Sequence, residues 1–446
     1  MTEETAAGRS GLASLLPRLQ ARCRVPASLS AVTRVRPDTE VDPREVGVAT
    51  ESIDWIWRAV RGLYRSGAHP AIALCVRRSG RVLLDRTIGH VSGNAPDEPP
   101  DAPKVVATPD TPFCVLSASK PVTAMVTHLL DERRLIHLDD RVCDYIPAFA
   151  RHGKQAITIR HLLSHRAGVP NPPPGSMDPD LLAHPERIVE ILCDEKPISR
   201  PGSRLAYHAI TSGFLLGEIV RVATGRDLQT VLREEIREPL GLRGLGYGVA
   251  PGEVGQVAVN AFTGVAVLPP ISGMFRRVLG LDFERIVDLS NDPRFLTGVL
   301  PSGNVVATAD EACRFMEMLR CGGELGGVRI FDPRTIVRAT SEVSWLEPDA
   351  NLILPIRYGL GFMLGAEWFS LYGPFTAHAF GHIGFTNVIV WADPERELSV
   401  ALLDSGKPLV YPEFVWLFEI LRRIGAACTI TRPGGLGAAD ALRRRA

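Results

Sequence analysis

The sequence predicts an α/β (α+β) fold: one antiparallel sheet built from segments near the two chain ends, flanked by helices, with a mostly helical region inserted at about 138–300. Two observations carry this. Strand patterns occur at 71–89 and again from 357 onward, while the stretch between them repeats its apolar residues at helical spacing. No internal repeat interrupts this order.

Taken along the chain, residues 1–50 mix Pro, Arg, Thr and Asp with short apolar stretches and read as an extension that packs loosely or wraps the domain. The domain proper is expected over 51–430. Its first core helix falls at 52–66, where Ile53, Ile56, Trp57, Val60 and Leu63 share a face. Residues 71–89 read as two strands joined at Ser79-Gly80. A polar loop follows at 94–104. A helix then opens at Ser117, with Pro121 in its first turn, where a missing N–H costs little. Val122, Met125, Leu129 and Leu130 form its inward stripe. Residues 262–300 are unusually apolar, and they could equally cap a site or form a separately packed insertion. Strands are expected in RYGLGFMLG, TAHAFGH, NVIVWADP and LSVALLDSG, and a last helix at 413–425. Residues 431–446 read as a disordered tail.

Composition narrows the function. Lys+Arg and Asp+Glu are both 50, so no basic excess points to nucleic acid or an anionic membrane. No apolar run is long enough to span a bilayer. The N-terminus lacks a basic stretch followed by an apolar core, so no secretory signal is expected. Eight cysteines are scattered without CxxC pairs, which suits free thiols in a reducing, cytoplasmic setting.

Lysine occurs only at 104, 120, 154, 196 and 407; nearly every other basic residue is arginine. A lysine kept against that bias is a candidate for chemistry, because lysine can be tuned to a neutral base and arginine cannot. Lys120 lies three residues after Ser117, so the two share a helix face. A helix N-terminus favours an alkoxide over an ammonium, and burial lowers the lysine pKa further. A neutral lysine could then take the serine proton. The tetrad alone would equally arise from an N-cap serine followed by a solvated lysine.

The flanks decide between these. TPFCVLSASKPVTAMV resembles the nucleophile motif of the serine β-lactamase and penicillin-binding protein superfamily, where a strand end leads into S-x-x-K. LDDRVCDYIPAF, HLLSHRAGV, PGSRLAYHAITSGFLLGEIVRVATG, PSGNVVATADEACRF, RYGLGF and FGHIGFTNVIVWADPE are similar, in order, to stretches of class C-like members across about 52–426. The nearest resemblance is to the family VIII carboxylesterases. It implies a β-lactamase/transpeptidase-like fold and an ester hydrolase forming an acyl-enzyme on Ser117. Acyl transfer or amide hydrolysis by the same intermediate is the alternative; a β-lactamase or DD-peptidase, or a relative that only binds, is expected less.

The resemblance also implies roles. Tyr207, in Tyr207-His208-Ala209, becomes the second proton carrier. His382-Ile383-Gly384 stands where β-lactamases have K-T-G, with His382 lining the pocket and Gly384 letting substrate lie against the strand. The amides of Phe385 and Ser117 become the oxyanion hole. Ala209 and His382 replace an asparagine and a lysine that suit β-lactams and peptidoglycan peptides, which favours a small-molecule ester as substrate. No cofactor and no metal are implied: His161 and His165 have zinc-like spacing but no third ligand, and His165 reads as a structural turn residue. Asp404-Ser405-Gly406-Lys407 reads as a loop after the last strand.

Overall fold

A computed structural model describes residues 21–434 except 174, 345, 346 and 410. Most of the predicted tail and the first twenty residues of the extension lie outside them.

The main sheet has the strand order Thr33–Val35, Arg81–Ser92, Ala71–Arg78, Leu398–Asp404, Ile389–Asp393, Phe380–Ile383, Met363–Leu364, with Val105–Val106 pairing off Arg81–Ser92. Every pairing in it is antiparallel. The two chain ends meet at its centre, where Ala73 pairs with Leu403 and Leu74 with Leu402.

Alternation along these strands sorts side chains into two layers. Ile72, Leu74, Val76, Val400, Leu402, Ile389 and Trp391 face one core, which the helices Thr50–Arg65 and Val415–Ala427 close. Ala71, Ala73, Cys75, Ala401, Leu403, Val390 and Ala392 face the other, larger core. The small residues on that face let the helix Ala309–Arg320 lie close against the sheet.

The helical region packs beyond this face. It packs around the helix Lys120–Glu132, which precedes it in the chain; all but one residue of this helix is buried, so the predicted inward stripe is only part of a largely enclosed helix. Such a helix hides its polar N-terminus inside the protein, which is what the site below uses.

Several elements depart from expectation. In the extension, Thr33–Val35 adds an edge strand to the sheet. A second sheet of very short strands joins Phe113–Cys114, Val305–Ala307 and Gly246–Tyr247. The strand expected across 357–365 is only Met363–Leu364. Gly406–Lys407 is not a loop: it forms a two-residue strand parallel to Ala261–Phe262.

Candidate active site

Ser117 does not open an α-helix directly. It lies in a 3-10 turn, Leu116–Ser119, that leads into the helix beginning at Lys120. Leu116 has φ 51°, a left-handed conformation that a non-glycine residue holds only when its surroundings impose it. Ser119 supplies that constraint. Its Oγ donates to the Leu116 carbonyl at 2.5 Å and accepts from the Val305 amide at 2.9 Å. The second small sheet thus fixes the turn that carries Ser117, since Val115 N–H also donates to the Val305 carbonyl at 2.9 Å.

Lys120 is 7% exposed. Its Nζ is 3.2 Å from Ser117 Oγ, 2.9 Å from the Ala209 carbonyl and 3.1 Å from the Ser302 carbonyl. No carboxylate touches it among the described residues. Burial alone pulls its pKa down from 10.5 to about 7. A neutral amine has two hydrogens and one lone pair. Two carbonyls, which can only accept, take the hydrogens, and the lone pair is left for the Ser117 hydroxyl.

Tyr207 is buried and shares a hydrogen bond with Ser117. Burial drives its hydroxyl well above the usual phenol range, against the lowering effect of that bond, so it stays protonated at neutral pH. Lys120 Nζ sits over the tyrosine ring, 4.8 Å from its centroid. The Tyr207 backbone is clamped by residues the sequence did not single out. Asp349 Oδ1 accepts from the Tyr207 amide at 3.0 Å, and Asn351 Nδ2 donates to its carbonyl at 2.9 Å. Tyr358 Oη donates to the other oxygen of Asp349 at 3.2 Å.

Three imidazoles surround this pair, and all are held neutral. His165 takes a turn conformation with φ 58°, accepts from the His208 amide at 3.2 Å, and lies 4.9 Å ring to ring from Tyr207. Its pKa falls well below 6.5, mainly by burial. Burial lowers His208 to about 4 and His382 to about 3, with Lys120 adding to both. His161, by contrast, caps its own helix by accepting from the Thr158 amide, so the two zinc-spaced histidines have separate structural partners.

His382 is buried with its ring 6.1 Å from that of Tyr207, and its Nδ1 donates to the Ile383 carbonyl at 2.6 Å. Gly384 has a different reason for being glycine than expected. A Cβ there would meet the Val115 carbonyl at 2.4 Å and the Val388 side chain at 2.9 Å. The close approach is to the protein's own backbone just before Ser117. Gly384→Ala should therefore push the strand away from Ser117, destabilise the fold by about 1–3 kcal/mol and lower turnover about 10²-fold, read by thermal melting and steady-state rates.

Phe385 follows directly. Its amide, like that of Ser117, donates to no backbone carbonyl among the described residues. Its ring packs on Phe283 at 4.4 Å and Phe275 at 6.2 Å, both from the apolar stretch 262–300. That stretch forms the helices Ile271–Leu279, Phe283–Leu289 and Pro293–Thr297, and through these rings it lies against the site.

The family model described as Beta-lactamase matches residues 56–414. This chain belongs to that family. The β-lactamase-family chain is 29% identical over 407 residues to the esterase/beta-lactamase LipL of Mycobacterium tuberculosis, covering 86% of this chain and 89% of that protein. It is similar to the crystal structure of a penicillin-binding protein homolog from Caulobacter crescentus at TM-score 0.71 and 28% identity, covering 85% of this chain and 99% of the other. A family VIII carboxylesterase structure shares its fold at TM-score 0.70 and 24% identity, covering 84% and 98%. The architecture is accordingly β-lactamase/transpeptidase-like.

Proposed function

We propose that this serine hydrolase cleaves small-molecule carboxylic esters through an acyl-enzyme on Ser117. The observation that carries the reading is the hydrogen bonding of Lys120, in which two carbonyls fix the amine and its lone pair meets the nucleophile.

The Ser117 hydroxyl gives its proton to neutral Lys120 as Oγ forms a bond to the ester carbonyl carbon. The carbonyl oxygen becomes an oxyanion and accepts from the amides of Ser117 and Phe385; losing one such donor costs about 3 kcal/mol. The C–O bond to the alcohol then breaks, and the leaving oxygen takes the Tyr207 proton. Lys120, now an ammonium over the tyrosine ring, returns its proton to Tyr207. Water repeats these steps on the acyl-enzyme and releases the acid. The two pKa directions support this division of work, with Lys120 as the base and Tyr207 as the acid.

An ester without a carboxylate suits the third motif. Where a β-lactam or peptidoglycan peptide needs a cation for its carboxylate, this chain has a neutral, buried His382. None of the eight cysteines is in a disulfide, which fits a cytoplasmic setting, and no helix among the described residues is long and apolar enough to cross a membrane.

The test is labelling with a fluorophosphonate, mapped by peptide mass, beside hydrolysis of p-nitrophenyl acetate, butyrate and octanoate with and without added methanol. The label is expected on Ser117, with ester turnover yielding free acid. A label elsewhere, or methyl ester as the main product, overturns the reading in favour of a different nucleophile or of acyl transfer.

A further inference from the structure

Beneath the turn that carries Phe385 lies a buried polar cluster that the chemistry above leaves unused. Lys407, one of the few lysines, is fully buried. Its Nζ donates to the Asp404 carbonyl at 2.6 Å and to Asp404 Oδ1 at 3.2 Å. The same Oδ1 lies 3.4 Å from Nδ1 of fully buried His69. On the other edge of that imidazole, Nε2 is 3.4 Å from Asn387 Nδ2, which also donates to Tyr411 Oη at 2.7 Å. Burial pushes the Asp404 carboxyl up, but Lys407 and His69 outweigh it and keep the carboxylate ionised. The cluster therefore leads from the end of a central strand to Asn387, with the His69–Asp404 step a charge contact rather than a hydrogen bond.

Asn387 belongs to the turn that holds the oxyanion donor. The Gly384 amide closes this turn by donating to the Val388 carbonyl at 2.7 Å. Within it, Thr386 has φ 68°, a conformation that a β-branched residue adopts only under constraint. Its Oγ1 is buried and makes no hydrogen bond among the described residues, so Thr386 does not hold itself there. The neighbouring side chain that is anchored is Asn387. If that anchor is cut, Thr386 can relax toward a common conformation; the Phe385–Thr386 peptide turns with it, and the Phe385 backbone it is joined to, including the Gly384–Phe385 peptide that carries the Phe385 N–H, shifts in turn.

We propose that Asn387, tied through His69 to the buried Asp404–Lys407 pair, is a positioning residue for the Phe385 amide of the oxyanion site. The proposal rests on the acyl-enzyme reading above. It assigns a purpose to a lysine that never meets substrate.

The experiment measures the second-order rate at which a fluorophosphonate modifies Ser117 in the full chain, for wild type, Asn387→Leu and Tyr411→Phe. Phosphonylation needs the nucleophile and the oxyanion donors but not a specific ester. Asn387→Leu should slow it about 30-fold, a loss typical of sub-ångström misplacement, and Tyr411→Phe about 5-fold. The KM for p-nitrophenyl butyrate should stay within about 3-fold while kcat falls in parallel with the labelling rate. A merely structural role would lower the melting temperature and leave the rate of the folded fraction unchanged. Folded variants labelled at the wild-type rate overturn the proposal. If Asn387→Leu does not fold, Tyr411→Phe, which removes one oxygen, decides alone. Wild type that is not labelled at Ser117 overturns the acyl-enzyme reading itself, and the positioning role falls with it; that result is distinct from equal rates in wild type and variants.

Discussion

Ser117→Ala should reduce ester turnover by about 10³-fold or more, with Lys120, Tyr207 and the two amides left in place. The loss is large because these groups act on one oxygen. Lys120 has its two carbonyl partners whether or not the serine is present. Without Oγ, its lone pair faces a methyl group, and nothing carries the acyl chain. The residual rate would be water attacking directly at an oxyanion site that is still built. Because Ser117 is only partly buried and its replacement removes a single oxygen, the melting temperature should change little. Parallel measurement of rate, melting temperature and fluorophosphonate labelling tests this. Turnover within tenfold of wild type would remove Ser117 from the mechanism.

The second large effect concerns Lys120. With its pKa brought down to about 7, kcat/KM should rise tenfold per unit as pH increases toward 7 and level off above it. The sign follows from the base being the neutral form. Below about 7 the amine is an ammonium whose third hydrogen occupies Ser117 Oγ, and it has no lone pair to accept the serine proton. The histidines do not blur this limb: His382 and His208 titrate near 3 and 4, and His165 well below 6.5. Lys120→Arg should lower kcat/KM about 10³-fold and abolish the limb, since a guanidinium stays protonated throughout the range. A rate profile flat from pH 5 to 9 in the wild type would mean that another group is the base.

The parts of this site that could be read from the sequence are those that chemistry restricts to one residue type at one spacing. Ser117 and Lys120 are of this kind, Tyr207 came from the family resemblance, and the structure brings all three together. His382 and Gly384 were found through the same resemblance, but the reason for Gly384 was not, because the carbonyl it must approach belongs to Val115, more than 260 residues away. Asp349, Asn351, Ser119 and the Ser302 carbonyl were missed for a related reason. Each acts by contact across the fold, and a buried serine or aspartate looks the same in sequence as one in a solvated loop. Among the secondary elements, periodicity identified the long strands and helices. It could not identify Thr33–Val35 or the second small sheet, because two or three residues do not complete a pattern. Gly406–Lys407 failed in the same way, and with it the cue that Lys407 is buried.

The meeting of the two chain ends at the centre of the sheet has a consequence for how the molecule is made. On the ribosome, Ala71–Arg78 emerges more than 300 residues before Leu398–Asp404, the strand that pairs with it. Until then one whole edge of that hairpin has unpaired amides and carbonyls flanked by Ile72, Leu74 and Val76, the kind of surface that recruits other chains. Ser117 and Lys120 are also synthesised long before Phe385, so on the acyl-enzyme reading the nucleophile exists well before the second amide of its oxyanion site. The nascent protein is therefore exposed to aggregation for nearly its full synthesis, and on the proposed mechanism its site is incomplete for as long; both conditions end together when the last strands insert. Pairing across such a separation is slow, so yield should depend on temperature and chaperone supply during synthesis more than on the stability of the finished enzyme.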